Sequence, residues 1–362
     1  MRLSENMDNN VDLDLFIEAA QAVFQHREFI LGPEVEMLER EMIRWLHAEH
    51  AVGCNSGFGA QLLGILSFDL ELGAHIAVPA LAPSDFIGVL LRKRFIPVLV
   101  DINTYDFQMN VSDLSRRMDE DERISAIIVH HLFGGTVDMQ EVMNKAGNIP
   151  AIEVLTYSLG AHIAERYAGT FGTVATADLR TTIGSGAAGD AGMIWTNDND
   201  LAEKMRKIRA ENTPVEIHTG VVSGNFHQDT IQAAFLLRKF EGWKQMAKKR
   251  AEQIIVFAQA MRDQKVHEIT IPEFYNSYGT ELVILAERRN ELMAYLQRRN
   301  IETSTWCPTP IHLQPGFEKL GHKKGDFPQA EWVTEQLIQL PVPENEVEIE
   351  RLTEAIADFY RN

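Results

Sequence analysis

The chain has 362 residues, 45% of them hydrophobic and 24% charged, which is ample for a buried core in about two domains. Its 34 basic residues face 52 acidic ones, for a net charge of -18. A body this acidic repels phosphate backbones, so no nucleic-acid partner is expected, and the short basic run Lys248 to Arg250 reads as a solvated helix face. The two cysteines, Cys54 and Cys307, form neither a CxxC nor a disulfide framework, and point to a reducing compartment. The polar start MRLSENMDNN does not read as a signal peptide, and no apolar run nears the roughly 18–20 residues of a membrane span. A cytoplasmic protein with no membrane partner is expected.

In chain order, short apolar runs rich in Val and Ile predict strands at 75–81, 96–102, 126–132, 150–155 and 192–198. Amphipathic helical patterns lie between them, at 111–121 and 138–147. This alternation predicts an α/β fold with a mostly parallel sheet between helices. A long helical pattern at 230–263 leads into further strand candidates at 268–274 and 280–286. Two domains are expected: a large one over 1–240 and a smaller C-terminal α/β one over 241–362, beginning within the long helix.

The stretch GSGAAGDAG, Gly184 to Gly192, contains G-x-G-x-x-G letter for letter. A dinucleotide-binding fingerprint follows a strand and opens a helix, whose N-terminus holds the pyrophosphate. Here the glycines run directly into MIWT, which reads as a strand. The loop is therefore expected to join strand to strand, its small residues allowing close backbone approach. No G-x-x-x-x-G-K-[ST] phosphate loop occurs.

The flanks of that loop carry more. GTFGTVATADLRTTIGSGAAGDAGMIWTND (169–198) resembles the segment holding the catalytic lysine in the DegT/StrS family of sugar aminotransferases. These are enzymes of the fold-type I group that use pyridoxal phosphate (PLP). The resemblance extends through 31–57, 98–110, 131–139, 224–234 and 308–342. It implies the PLP-transferase fold, nucleotide-linked sugars of surface-polysaccharide synthesis as ligands, and a homodimer with the site at the subunit interface.

Carried over position by position, the resemblance also exposes losses. The Schiff-base lysine falls on Ile183, which can neither hold the cofactor as an imine nor shuttle a proton. The histidine that replaces this lysine in dehydratase relatives is absent too. The aspartate that pairs with the pyridinium nitrogen falls on Val154, losing a charge-assisted hydrogen bond of about 1.5–3 kcal/mol. The phosphate-binding serine falls on Asp178, whose carboxylate repels a phosphate dianion. In the phosphate turn after Ser56 the usual G-T becomes Gly57–Phe58, the ring-stacking aromatic falls near Pro83, and the motif glutamine becomes Tyr157. No PLP and no metal are therefore expected.

Candidates for replacement chemistry follow. Asp178 and Arg180 are expected on one strand face, either as an ion pair filling the vacated site or with Arg180 binding an anion. His227 stands where the family has arginine, and Asn225 keeps the family's asparagine, as a turn residue or one reaching into the partner's site. Tyr157, Trp306 and His312 are possible pocket residues, Trp306 being equally readable as core. With Asp178, Tyr157 and His227 are the candidates for general acid–base work. Adjacent His130 and His131 face opposite ways, so they do not share a metal, and His131, matching a common family residue, reads as structural. Cys54 reads as a small buried hydrophobe, or else as a reactive thiol near a helix N-terminus. Three functions remain open: a PLP-independent protein acting on or binding a nucleotide-linked sugar, a non-catalytic binding or regulatory partner, and, were the alignment of 178–183 wrong, a sugar aminotransferase. Residual PLP binding without an imine is opposed by Asp178.

Overall fold

The computed structural model describes residues 1, 9–180, 186–210, 224–272 and 281–361. Two helices, α1 (Asn9–His26) and α2 (Pro33–Leu46), precede the first strand, β1 (His50–Cys54). There follow α3 (Gly57–Ser67), β2 (His75–Pro79), α4 (Ser84–Arg92), β3 (Ile96–Val100), α5 (Val111–Glu120), β4 (Ile124–His130), α6 (Met139–Ala146) and β5 (Ala151–Val154). A two-stranded hairpin, β6 (His162–Ile163) and β7 (Arg166–Tyr167), leads to β8 (Val174–Asp178), β9 (Gly192–Thr196) and α7 (Asn199–Arg209). Side chains at the helix starts hold the orphaned N–H groups: Ser56, Asn110, Asp138 and Asp198 each accept from the backbone N–H three residues on, at 2.9–3.0 Å.

The seven-stranded sheet has the order β1-β9-β8-β5-β4-β2-β3. Pairings from β8 through β3 are parallel, and β9 runs antiparallel to both its neighbours. The expected α/β architecture is present. Gly184 and Ser185 lie outside the described residues; the described part of the stretch, from Gly186 on, leads into β9, which pairs with β8 so that Asp178 stands opposite Gly192. The expected strands at 75–81, 96–102, 126–132, 150–155 and 192–198 are all there, each ending one or two residues early, with β4 also starting two residues before the expected run. Strand β1 and the hairpin were not anticipated; a strand through Asp178 and Arg180 was, but β8 ends at Asp178. β8 reads VATAD, and its alanines carry little β-propensity of their own; its neighbours in the sheet supply the environment.

The long helix α8 (Thr230–Gln264) begins against the large domain through Ala233, Leu236, Phe240 and Trp243, and ends in a separate cluster through Ile254, Phe257 and Met261. Arg250 corrects the reading of the basic run: Lys248 and Lys249 are exposed, but Arg250 is buried, its pKa lowered by that burial. Beyond α8 lie β10 (Ile269–Thr270), β11 (Leu282–Ala286), α9 (Arg289–Gln297), two short 3-10 turns (Ile311–Leu313 and Pro315–Leu320), α10 (Pro328–Gln336), β12 (Leu337–Leu340) and α11 (Glu346–Arg361). The second sheet is β10-β11-β12, antiparallel throughout. Residues of this second unit, among them Val283, Cys307, Ile311 and Phe327, join the same core cluster as Val78, Leu99 and Val154. Asp101 just past β3 tightens that union by accepting from Gln329 and Ala330 N–H at 3.1 and 2.9 Å, capping α10 from the other domain.

Two contacts fix the large sheet, one below β8 and one at its carboxyl edge. Glu153, fully buried on β5, accepts from the backbone N–H groups of Gly169, Phe171 and Gly172 at 2.8, 2.9 and 2.5 Å, and so holds the segment that leads into β8. Gly192 lies against the turn after β1, where a Cβ would sit 2.1 Å from the Ser56 carbonyl oxygen. Backbone cannot move aside as a side-chain tip can. Gly192→Ala is therefore expected to destabilise the protein by about 2–3 kcal/mol, read as a lowered urea midpoint; an unchanged midpoint would contradict this close approach.

Candidate functional site

The carboxyl ends of β1, β2, β5 and β8 lie along one edge of the sheet, the usual binding edge of open α/β folds. The candidates from the sequence gather there in two groups.

The first group surrounds the N-terminus of α3. Ser56 caps the helix, Gly57 opens it and Phe58 packs edge-on against Phe86, with ring centroids 6.2 Å apart. Asp178, at the end of β8, presses on this terminus: a Cβ on Gly57 would be 2.3 Å from Asp178 Cβ and 2.8 Å from its carboxyl carbon. A helix N-terminus carries partial positive charge and favours an anion, and here the chain's own carboxylate lies against it. Arg180 lies just past the end of β8. Its backbone N–H donates to Asp178 Oδ1 at 2.8 Å, and its guanidinium pairs with Asp178 at 3.5 Å and Asp190 at 3.3 Å. The expected Asp178–Arg180 pair is thus formed. The guanidinium is half-exposed and faces two carboxylates, which weakens it as an anion receptor. Ile183 lies outside the described residues. No lysine occurs between Lys145, in α6, and Lys204, in α7, and Lys204 Nζ donates to the Ser67 carbonyl at 2.7 Å.

Asn225 and His227 border the same turn. Asn55 Nδ2 donates to the Asn225 carbonyl at 3.1 Å, and Asn55 N–H donates to that of Phe226 at 3.1 Å. The Asn225 side chain is exposed and His227 is half-buried.

The second group forms an open cavity of about 370 Å³. Pro83, Tyr157 and Trp306 line it, together with Ser84, Cys307, Thr309 and Gln314. Trp306 and Tyr157 meet edge to face with centroids 5.5 Å apart, and Phe133 supports Trp306 from behind at 4.9 Å. Pro83, Tyr157 and Trp306 are therefore brought together, as expected. Asp178, Arg180 and His227 are not part of this wall. His312 is not part of it either: it is buried, its Nε2 2.9 Å from Glu331 Oε1, its ring packed on Phe327. Ser84, Thr309 and Gln314 were missed; the 308–342 segment pointed to their neighbourhood, but only the fold shows which of its residues face the cavity.

Val154 is buried among apolar neighbours at the end of β5. Beside it are His130, the last residue of β4, and His131, just past it. His131 Nδ1 accepts from Val137 N–H at 3.1 Å, so Nε2 carries the proton and donates to Glu153 at 3.1 Å. This is a structural histidine. Among the described residues no cluster of three potential metal ligands occurs. Cys54 is fully buried, its Sγ 3.4 Å from the Ser56 carbonyl, and burial pushes its thiol pKa up to about 12. A neutral thiol is a poor nucleophile, so the buried-hydrophobe reading holds and the reactive one does not.

His130 is buried, and desolvation, reinforced by His131, lowers its pKa to about 3. An unfolded histidine takes up a proton below about pH 6.5. The folded chain refuses that proton until about pH 3. His130 therefore costs stability as pH falls through this window. Urea midpoints at pH 7 and pH 5 should differ less for His130→Leu than for the unaltered protein; an equal difference would mean that His130 charges freely in the fold.

The chain matches the DegT/DnrJ/EryC1/StrS aminotransferase family over residues 12–357. It is 32% identical to the pleiotropic regulatory protein of Geobacillus stearothermophilus, over 94% of this chain and 93% of that one. It is 28% identical to dTDP-3-amino-3,6-dideoxy-alpha-D-galactopyranose transaminase of Aneurinibacillus thermoaerophilus, again over 94% and 93%. A DegT DnrJ EryC1 StrS aminotransferase from Brucella abortus shares the fold, with a TM-score of 0.90 at 24% identity over all of both chains. With a family match spanning nearly its whole length, this chain belongs to the DegT/DnrJ/EryC1/StrS aminotransferase family.

Proposed function

We infer that this family member has given up PLP chemistry and that its remaining open pocket takes a nucleotide-linked sugar. The observation that carries the loss is Asp178, whose carboxylate lies against the α3 N-terminus where the resemblance puts the cofactor phosphate. Two anions in one such site repel. Val154 offers no partner for a pyridinium nitrogen, and the 58-residue stretch from Ala146 to Glu203 holds no lysine to form an imine. These residues do not fit PLP, and no step is derived through it. The sugar-ligand reading is supported by the open cavity at Tyr157 and Trp306, since aromatic faces suit the apolar C–H faces of sugar rings, and by the transaminase relatives named for amino sugars.

A second reading, a non-catalytic regulatory or binding partner, is favoured by the Asp178–Arg180 pair and by the relative named a pleiotropic regulatory protein. It shares the ligand site and differs only in whether bound sugar is turned over. In both, the two unpaired thiols fit a reducing, cytoplasmic setting.

Titration with PLP should produce no imine absorbance band, and borohydride reduction followed by mass spectrometry should find no pyridoxyl-lysine. UDP- or dTDP-sugars should raise the melting temperature of the same preparation. A stoichiometric pyridoxyl-lysine would restore the aminotransferase reading. A homodimer belongs to this proposal too. Leu13, Ile17, Phe24, Phe29, Ile30 and Met37 are exposed along α1, the following link and α2, an apolar stretch that a second copy would cover. Light scattering should give twice the chain mass of 40.9 kDa, and Phe24→Glu should lower it toward the monomer.

A further inference from the structure

A second open cavity, of about 440 Å³, lies on the small domain, away from the carboxyl edge of the large sheet. That volume is within the range of small-molecule sites. One wall is a single face of α9, formed by Asn290, Met293, Ala294 and Gln297. The other is the extended segment that follows, through Glu302, Thr303 and Thr305. The two cavities share no lining residue. We propose that this outer cavity is a second binding site, taking a small polyol, and that its occupancy is felt at Trp306.

The ligand class follows from the hydrogen-bonding groups in the wall. Arg289 Nε donates to Asn290 Oδ1 at 3.2 Å, which fixes that amide and leaves its Nδ2 to donate elsewhere. Among the described residues, the side chains of Gln297, Thr303 and Thr305 have no hydrogen-bond partner. Each of these three can both donate and accept, as the hydroxyls of a sugar or alditol do. Met293 and Ala294 lie between the two amides along the helix and give the C–H groups of such a ligand a narrow apolar strip.

The link to Trp306 is a short piece of backbone. Ser304 N–H donates to the Gln339 carbonyl on β12 at 3.1 Å, and the Ser304 carbonyl accepts from Gln339 N–H at 2.8 Å. Alternation along this extended segment turns Thr303 and Thr305 away from the side that Ser304 faces. Directly beyond, Cys307 N–H donates to the Thr305 carbonyl at 2.5 Å. This closes a three-residue turn centred on Trp306, whose φ is +49°. Bulky side chains rarely adopt that conformation, so the turn is strained. The same turn sets the Trp306 ring in the wall of the first cavity. A ligand hydrogen-bonded to Thr305 therefore bears on the residue that closes the turn, and through it on the ring.

The probe is glucose. Saturation-transfer NMR on the full chain should show glucose bound with a dissociation constant on the order of 1 mM. Ala294 is exposed on its helix, so Ala294→Trp should fill the outer cavity without disturbing the fold, and should remove the signal. Thr305→Val keeps the shape and deletes the hydroxyl, and should weaken binding by about fivefold, the effect of one hydrogen bond. Circular dichroism checks that both variants fold. Trp306 emission, taken as the difference between the unaltered protein and Trp306→Phe, should shift as glucose saturates the unaltered protein. Glucose binding that survives both Ala294→Trp and Thr305→Val unchanged would come from elsewhere on the chain and overturn the outer site, leaving the nucleotide-sugar reading standing. No saturation transfer at about 20 mM glucose would overturn it as well. Bound glucose with unchanged Trp306 emission would overturn the link between the cavities.

Discussion

The carboxyl edge of this sheet is organised by one steric constraint: the turn after β1 runs in direct contact with the ends of β8 and β9. Gly57 and Gly192 make that possible, since a Cβ on either would collide with Asp178 or with the backbone of Ser56. The same constraint runs down α3. Gly64 there faces Ile152, Val174 and Ile194 across β5, β8 and β9, with room for a Cβ only at 3.2–3.3 Å. The helix is thus pressed flat on the sheet, and its N-terminus is aimed at the binding edge. Whatever sits at Asp178 necessarily meets the positive end of α3. A serine there leaves space and a donor for an external anion; an aspartate supplies the anion itself.

That constraint also explains why the fold persists when residues at the edge change. The contacts holding the scaffold are directed away from it. Glu153 and Val154 are neighbours on β5 and point to opposite faces of the sheet. Glu153 binds His131 and three backbone N–H groups, and none of these faces the Tyr157–Trp306 cavity. Asp101 fastens the second domain by capping α10. Substitution on the Val154 face leaves both networks untouched.

Much of this was legible in the sequence. The strand–helix alternation marked five strands of the mostly parallel sheet, four parallel and the antiparallel β9, because strands buried on both faces read as unbroken apolar runs. The glycine loop was correctly placed between two strands because MIWT follows it without a helical pattern. The pairing of Asp178 with Arg180 followed from two-residue spacing, although Arg180 lies past the strand end, so the pair forms through a local turn and not through pleat alternation. What escaped was of two kinds. The bounds of β8 went unmarked, since its alanines carry little β-propensity and its neighbours define where it starts and ends. Ser84, Thr309 and Gln314 come from segments more than 200 residues apart, and only the docking of the second domain, through Ile311 N–H on the Ala80 carbonyl, brings them to one wall. His312 was misplaced for the same reason: its ring turns to Glu331 while Gln314, two residues on, turns to the cavity.

The two ends of the site are therefore chemically distinct. At the α3 end, Arg180 pairs with both Asp178 and Asp190, which leaves one net negative charge against the helix terminus. At the Tyr157 end the wall is uncharged and open. Asp178 reaches α3 from β8 while Trp306 and Gln314 arrive from the other domain, so the carboxylate at the helix terminus leaves the neighbouring cavity open. Under the proposed reading, loss of the cofactor and retention of a sugar site are then independent events, one decided within the large domain and the other at its junction with the small one. Any chain of this fold that kept the interdomain docking could lose the first and keep the second.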